Sequence, residues 1–395
     1  MRLYIKVKKH SLNEIVYSIF LILCFIPFLF PNPFVRTNIQ PYAALVGTGI
    51  LFFHFGTLVK TVYGRNVALI LGGTFLVALL IMAVGGISVE AIRGVYNYFA
   101  LFITPCAVII TLEKLKEFPE KLCKFMIVIW FLVASIQFFV YRGFATNLIS
   151  AVRWSYGYRG VVGLASEPSF LGITSFYFLH IARNFKKQNI HYTVLILVMG
   201  IIFAQSTTGL MFIAGYYFVF LLDMINSKKG LYIWGGSIVA LIAFSYYMTT
   251  RMTSSRVYEM IDTFFNEGLE SVLTDGSAST RYNAIGRALS NAASRFFIPD
   301  GFGDRIGSAY GGLLVELGFF AFPAIILISY GFCLTFDKKR SRVMYFIVVT
   351  LLLLNNTQIG NPLLLMVIGI NLYNHGKKRQ GLGNHFHKTI GGIRQ

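Results

Sequence analysis

Apolar stretches of about 20 residues follow one another along most of this chain, separated by polar connections. About 20 apolar residues of helix cross the hydrocarbon core of a bilayer, and a helix satisfies its own backbone hydrogen bonds there. The pattern predicts an all-α, polytopic membrane protein that forms a single integral membrane domain over residues 1–395. We expect about 12 transmembrane helices, near residues 12–31, 41–60, 66–84, 95–113, 122–141, 161–181, 191–205, 207–226, 230–248, 308–336, 342–356 and 358–374.

The composition agrees with this prediction. Hydrophobic residues make up 56% of the chain and charged residues only 13%, whereas a soluble protein carries roughly a quarter charged residues. The formal net charge of +19 would suit a nucleic-acid partner, but the basic residues are scattered among apolar spans. We therefore expect membrane lipids and no nucleic acid as partners. The basic start of the chain and the apolar stretch after it indicate a first transmembrane helix rather than a signal peptide.

Lysine and arginine divide between alternate connections. All 17 lysines lie in every second connection or near the two ends of the chain, whereas 11 of the 18 arginines lie in the remaining connections. Positive charge in short loops marks the cytoplasmic side of a membrane protein. We therefore expect the lysine connections and both termini to be cytoplasmic in a bacterial inner membrane. The long connections at 142–160 and 249–307 would then face outward, the second with short helices of its own.

The arginines of the predicted outer face call for a separate explanation, because topology does not need them. A guanidinium group binds phosphate with two parallel hydrogen bonds, which a lysine ammonium group does not reproduce. We therefore expect the outer face to handle an anionic substrate that carries phosphate.

One candidate site opens the sixth predicted helix, where Arg159 is followed by Ser166, Glu167, Pro168 and Ser169. A carboxylate at this depth is costly and marks a functional site by default. Proline frees backbone groups, which membrane proteins tolerate only against protein or a water-filled cavity. Two interpretations stay open: Glu167 serves chemistry in a cavity, or it pairs with an arginine to hold two helices together.

Two further segments carry candidate residues. Hydroxyl residues lie beside Arg281 in the sequence GSASTR, where backbone N–H groups and a guanidinium group can converge on one phosphate. Arg305 is the second choice in this connection, and Arg287 and Arg295 fit better on a surface helix. The segment that opens the next span contains Glu316, a second carboxylate among apolar residues. The four cysteines lack metal-ligand spacing, so we expect no metal and no cofactor.

Together these segments resemble the Wzy-type O-antigen and capsule polymerases, within the wider group that includes the O-antigen ligases. The resemblance rests on RG-x2-GLASEPSF at 159–170, on GSASTR at 276–281, and on GFGDR and YGGLLVELGFF at 301–305 and 310–320. It covers roughly residues 140–335, and the N-terminal third matches only in hydropathy.

The resemblance implies a GT-C-type glycosyltransferase that joins repeat units carried on undecaprenyl pyrophosphate at the outer face of the inner membrane, without a metal. It also implies a flippase and a chain-length regulator as partners. Outer-loop arginines would hold the pyrophosphate. The predicted catalytic residues are Glu167, Arg159 and Arg281, and the predicted substrate-binding residues are Arg305, Arg153, Ser166, Ser279, Tyr310 and Glu316.

One departure from the family pattern bears on the choice of activity. Ligases and many polymerases carry a His-Asn pair just before the helix that begins at Tyr310, and Gly307 and Ser308 stand there in this chain. A histidine base is therefore absent from that position, which argues against the ligase and leaves Glu167, then Glu316, as candidate bases. A non-catalytic exporter of polysaccharide or lipid-linked oligosaccharide is the alternative from another class.

The predicted topology can be tested by cysteine labelling. With the four native cysteines removed, Glu270→Cys should react with an impermeant thiol reagent added from outside intact cells, and Lys187→Cys should react only after the cells are opened. Labelling of position 270 from the cytoplasmic side alone would overturn the topology.

Overall fold

A computed structural model describes residues 12–30, 39–61, 63–153, 160–186, 190–224, 258, 262–263, 266–268, 271, 276–303, 308–355, 357–379 and 381. For residues 276–282, 284 and 285 it describes the backbone alone. The regular structure in this part of the chain is helical, and its one β pairing is an isolated antiparallel bridge between Leu29 and Ile149.

The described helices follow the predicted spans closely. They are α1 Leu12–Phe25, α2 Tyr42–Lys60, α3 Gly64–Gly85, α4 Val89–Leu115, α5 Glu120–Phe139, α6 Pro168–Ala182, α7 Ile190–Leu197 with a π-helical continuation at Val198–Phe203, α8 Thr207–Met224, α9 Gly276–Ser294, α10 Ala309–Leu317, α11 Phe322–Cys333, α12 Lys339–Leu353 and α13 Pro362–Arg379. The predicted span at 230–248 lies outside the described residues. Each of the other predicted spans contains a helix.

Six helical segments in the described part are long and apolar enough to cross a membrane. They are α2, α3, α4, α5, α8 and the stretch Ala309–Cys333. This last stretch qualifies by total length and composition, although its two parts, α10 and α11, fold back on each other. Shorter apolar helices are α1, α6 and α7 with its continuation. The chain is therefore a polytopic helical membrane protein in outline, and the total of 12 spans stays a prediction.

Large apolar side chains cover the outside of the helix bundle. Phe52 and Phe53 of α2 are 79% and 77% exposed, and Val84 of α3 is 90% exposed. Exposed apolar surface on this scale marks contact with a membrane or a partner rather than with water. By contrast, α4 runs through the core, with a continuous buried stretch from Ile103 to Leu112. This contrast fits helices that face lipid on one side and protein on the other.

Ion pairs join the lysine-bearing connections to one another. The pairs are Lys186–Glu117 at 3.7 Å, Lys338–Asp223 at 3.4 Å, Lys378–Asp337 at 2.9 Å and Lys377–Glu113 at 2.9 Å. They link the α4–α5, α6–α7 and α11–α12 connections and the ends of α8 and α13. These connections therefore share one end of the bundle, which we call the lysine end. The opposite end is the arginine end, and the side of the membrane that each faces stays a prediction.

The sixth predicted span begins later than the sequence suggested. Residues 161–167 are not helical, and α6 starts at Pro168, with Glu167 before it in an extended conformation (φ −154°, ψ 160°). Proline suits the first turn of a helix, where its missing N–H is not needed, and it pushes the residue before it out of helical geometry. The prediction of a helix over 161–181 was therefore wrong for its first turns.

The predicted span at 308–336 is not one straight helix. The Tyr310 hydroxyl lies 2.7 Å from Ser329 Oγ, although 19 residues of continuous helix would extend about 28 Å. The chain turns back at residues 318–321, where Gly318 has a left-handed φ of +58° and a Cβ would lie 2.1 Å from the Phe297 carbonyl oxygen. Only glycine fits this turn, because both the backbone conformation and the close contact exclude a side chain.

The last two predicted spans are separate helices, as the polar residues between them indicated. The helix α12 ends at Leu353 and α13 begins at Pro362. The connection at 249–307 contains α9, which packs on α10 where a Cβ on Gly311 would lie 3.2 Å from Ala288 Cβ. Arg287 of α9 and Arg295, which follows the end of α9, are exposed, as predicted for residues of a surface face.

Candidate functional site

A non-helical segment at residues 160–167 is packed inside the protein at the arginine end. Residues 160–166 are buried, and only Glu167 keeps partial exposure. The helix that follows, α6, has 15 residues and is about 22 Å long, less than the hydrocarbon core of about 30 Å. The buried segment, as we call residues 160–167, therefore makes up part of the remaining depth.

Gln137, in the last turn of α5, holds the middle of the buried segment. Its side-chain Nε2 donates to the Gly163 carbonyl at 2.9 Å, and its Oε1 accepts from the Gly163 N–H at 2.7 Å. Nε2 also donates to the Phe144 carbonyl at 2.8 Å. Gln137 is 2% exposed, so it satisfies backbone groups that water does not reach. An unsatisfied backbone group at such a place costs several kcal/mol.

The end of α7 holds the start of the buried segment. The Val161 N–H donates to the Phe203 carbonyl at 2.8 Å, which supplies a partner for one of the carbonyls that every helix leaves free at its end. Gly160 fits against the same turn, since a Cβ there would lie 2.2 Å from the Ala204 carbonyl oxygen. Phe203 ends the π-helical continuation of α7, a geometry found often at functional sites.

Two arginines of the α5–α6 connection contact the buried segment through its backbone. The Arg142 guanidinium donates to the Gly160 carbonyl at 3.1 Å. The Arg153 N–H donates to the Ser166 carbonyl at 2.7 Å, and the Arg153 side chain is exposed. The predicted residues Arg153, Ser166 and Glu167 are thus neighbours in space, although 13 residues separate Arg153 from Ser166.

The polar groups at the end of the buried segment differ in how they are satisfied. The Ser169 hydroxyl donates to Glu167 Oε1, which fixes the carboxylate against the first turn of α6. The Ser166 hydroxyl is buried, with the residue 1% exposed, and it has no hydrogen-bond partner among the described residues. Since buried polar groups are nearly always hydrogen-bonded, this hydroxyl calls for a partner such as a buried water.

The arginines predicted to hold phosphate fall mainly outside what the structure describes. Arg159 and Arg305 lie outside the described residues. Ser279 and Arg281 lie in the first two turns of α9, and only their backbone is described. The GSASTR sequence is therefore helical rather than a loop. The alternative in which Glu167 pairs with Arg159 or Arg281 therefore involves side chains that lie outside the described part of the chain.

Tyr310 and Glu316 lie inside helix packing on α10. The Tyr310 hydroxyl bonds to Ser329 Oγ, and the residue is 1% exposed. Glu316, which is 7% exposed, accepts from the Tyr98 hydroxyl of α4. These contacts join α10 to α11 and to α4. They give both side chains a structural task, and their predicted role in substrate binding stays a prediction.

Ser308, at the start of α10, has a structural role. Its hydroxyl caps α10 by accepting from the Gly311 N–H at 3.0 Å, and it donates to the Leu354 carbonyl at the end of α12. An N-cap of this kind satisfies one of the free N–H groups at a helix start. Ser308 thus fixes the start of α10 rather than offering a base.

Sequence reasoning missed Gln137, Arg142 and Tyr98 as residues of this region. The signal for Gln137 was an amide near the end of an otherwise apolar span, and buried amides need partners.

The described part of the chain contains no group of three or more His, Cys, Asp or Glu side chains placed to hold a metal ion. Comparison with known proteins finds no protein-family model, no curated protein and no solved structure that matches this chain.

The role of Gln137 can be tested by Gln137→Leu, which keeps much of the volume and removes the hydrogen bonds. We expect the free energy of unfolding in detergent micelles to fall by about 1–3 kcal/mol for each buried group left unsatisfied. Amide exchange at residues 160–167 should also accelerate. The control is Ser135→Ala, which removes a bond within α5 itself. Equal effects of the two variants on amide exchange would contradict the assigned role.

Proposed function

We propose that this protein is a membrane-embedded glycosyltransferase that polymerises oligosaccharide repeat units carried on undecaprenyl pyrophosphate. The proposed product is O-antigen or capsular polysaccharide, made at the outer face of a bacterial inner membrane by a GT-C-type enzyme. The observation that carries the proposal is the end of the buried segment, at one end of an apolar helix bundle. There the Arg153 N–H donates to the Ser166 carbonyl, and Ser169 of α6 donates to Glu167.

The proposed reaction transfers the growing glycan from its lipid carrier to a sugar hydroxyl of a new lipid-linked unit. The hydroxyl oxygen attacks the anomeric carbon and forms the new glycosidic bond. The bond from that carbon to the pyrophosphate breaks, and its electron pair leaves with the lipid pyrophosphate. The hydroxyl proton passes to the Glu167 carboxylate, which acts as general base.

The geometry of Glu167 suits this role. Ser169 donates to one carboxylate oxygen, which orients the group and leaves the other oxygen for an acceptor hydroxyl. The extended backbone before Pro168 directs the chain away from the axis of α6. Ser166 lies beside Glu167 with a buried hydroxyl that has no hydrogen-bond partner in the described residues, and its predicted role in substrate binding stays part of the proposal.

Negative charge develops on the pyrophosphate as it leaves. Positive side chains that are already in place stabilise this charge best, because they need not reorganise during the reaction. Arg153 is exposed next to Ser166, and Arg159 follows it by six residues in the same connection. Arg281 and Arg305 are the proposed contributions of the second long connection. Ser308 as an N-cap supports a polymerase over a ligase, because the position where ligases carry His-Asn is taken by a structural hydroxyl.

The role of Glu167 is tested by Glu167→Gln in purified protein. The variant should fold and bind lipid-linked repeat units normally, with turnover slower by on the order of 100-fold or more. A carboxylate that serves as an ion pair would instead lower thermal stability and substrate binding together. The matched control is Glu90→Gln, an exposed carboxylate in the first turn of α4, which should polymerise at the normal rate. Near-normal turnover by Glu167→Gln would exclude the base and direct attention to Glu316.

The pyrophosphate contacts are tested by Arg159→Lys and Arg281→Lys. Each variant keeps the charge but loses the two-pronged contact, so we expect turnover to fall by about tenfold or more. Arg287→Lys is the control, since Arg287 is exposed and its Nε donates to the Asn283 carbonyl within α9. Normal polymerisation by both lysine variants would show that these arginines do not hold pyrophosphate.

A further inference from the structure

A cavity of about 180 Å³ opens at the lysine end of the bundle, where α2 ends, α3 begins and α13 ends. Its wall includes Thr57 and Lys60 of α2, Gly64 of α3, Glu113 of α4 and Lys377 of α13. A drug-sized ligand takes a pocket of roughly 300 Å³ or more, so this cavity suits a small polar group. It lies at the end of the bundle opposite the proposed glycosyl-transfer site.

The charges in the wall do not cancel. Lys377 pairs with Glu113, with 2.9 Å between Nζ and Oε2. Lys60 has no carboxylate partner among the described residues, although it lines the same cavity. An ammonium group brings three hydrogen-bond donors and no acceptor. The cavity therefore presents one uncompensated positive charge and a set of free donors.

Neutral donors lie next to that charge. Thr57 contributes a hydroxyl to the wall, and Tyr63 contributes another. Burial raises the pKa of Tyr63 to about 12, so its hydroxyl keeps its proton at neutral pH. The wall also contains Gly64, the first residue of α3, but its N–H already donates to Thr61 Oγ1 at 3.1 Å, so it adds no free donor.

The surroundings of the cavity are basic as well. The pKa of His375 falls to about 4, first because the side chain is buried and then because of the charges on Arg342, Arg379 and Lys378. His375 is therefore neutral at physiological pH. Of the three cations, Lys378 is paired with Asp337 at 2.9 Å.

We infer that this cavity binds a phosphate group, held by Lys60 and by the hydroxyls of Thr57 and Tyr63 at the start of α3. The two hydroxyls and the unpaired ammonium suit one small oxyanion. Two sources carry that chemistry: the headgroup of an anionic phospholipid in the adjacent leaflet, and a soluble phosphate. The cavity takes no part in the proposed glycosyl transfer and would serve to anchor or regulate the protein from the lysine end.

Full-length protein in a neutral detergent provides the test, with three probes. Phosphatidylglycerol and diacylglycerol differ in the phosphate and headgroup, and retention of each is measured by native mass spectrometry. Inorganic phosphate is titrated by calorimetry. The test variant is Lys60→Gln. Its control is Lys121→Gln, an exposed lysine in the first turn of α5 that does not line the cavity. Thr57→Val is a second test variant that keeps every charge.

We expect Lys60→Gln to weaken binding of the phosphate-bearing probe by about tenfold or more, because a charged hydrogen bond is lost. Thr57→Val should weaken it less, and Lys121→Gln should bind as the natural protein does. Retention of phosphatidylglycerol without binding of inorganic phosphate assigns the site to a lipid, and binding of inorganic phosphate assigns it to a soluble ion. Equal binding by Lys60→Gln and the natural protein, equal retention of diacylglycerol, or no binding of any probe would overturn the inference.

Discussion

The bilayer's demand that every backbone polar group find a partner is the constraint on which this structure depends. A helix meets the demand by itself, so any departure from helix inside the bundle must be compensated by the protein. The buried segment at 160–167 is such a departure. Gln137 supplies both a donor and an acceptor to Gly163, and the end of α7 accepts from Val161. Without these bonds, the turn that presents Glu167 would not be stable at this depth.

The same constraint bears on which of the candidate carboxylates is available for catalysis. At Gly318 the chain also leaves helical geometry, and the Phe297 carbonyl accepts from the Phe319 N–H at 2.8 Å. That turn folds α10 back beside α11 and buries Glu316 against Tyr98. Of the two carboxylates that were candidate bases, Glu316 is therefore committed to a contact between helices. Glu167 remains partly exposed next to an orphaned hydroxyl, which makes it the better candidate for catalysis.

Much of the helical framework could be predicted from the sequence, because apolar length and the lysine connections follow directly from the physics of the bilayer. The break at Gly318 could not, since a glycine between apolar residues gives no sign of a left-handed φ. The role of Gln137 depends on a contact across 26 residues, and spacing along the chain does not show which backbone group an amide will bind. Pro168 was recognised as a disruption, but its place in the first turn of α6 decides that the helix starts there. Arg153 was predicted from its residue type alone, and the structure adds its contact with Ser166.

The most direct measurement of the central claim is the product formed by the purified protein from undecaprenyl-pyrophosphate-linked repeat units alone, with a metal chelator present. We expect a ladder of lipid-linked glycans, each longer than the last by one repeat unit, because in the proposed reaction arginines and Glu167 supply the chemistry without a metal. Substrate that stays at the length of one repeat unit, or that crosses the bilayer without a new glycosidic bond, would contradict it.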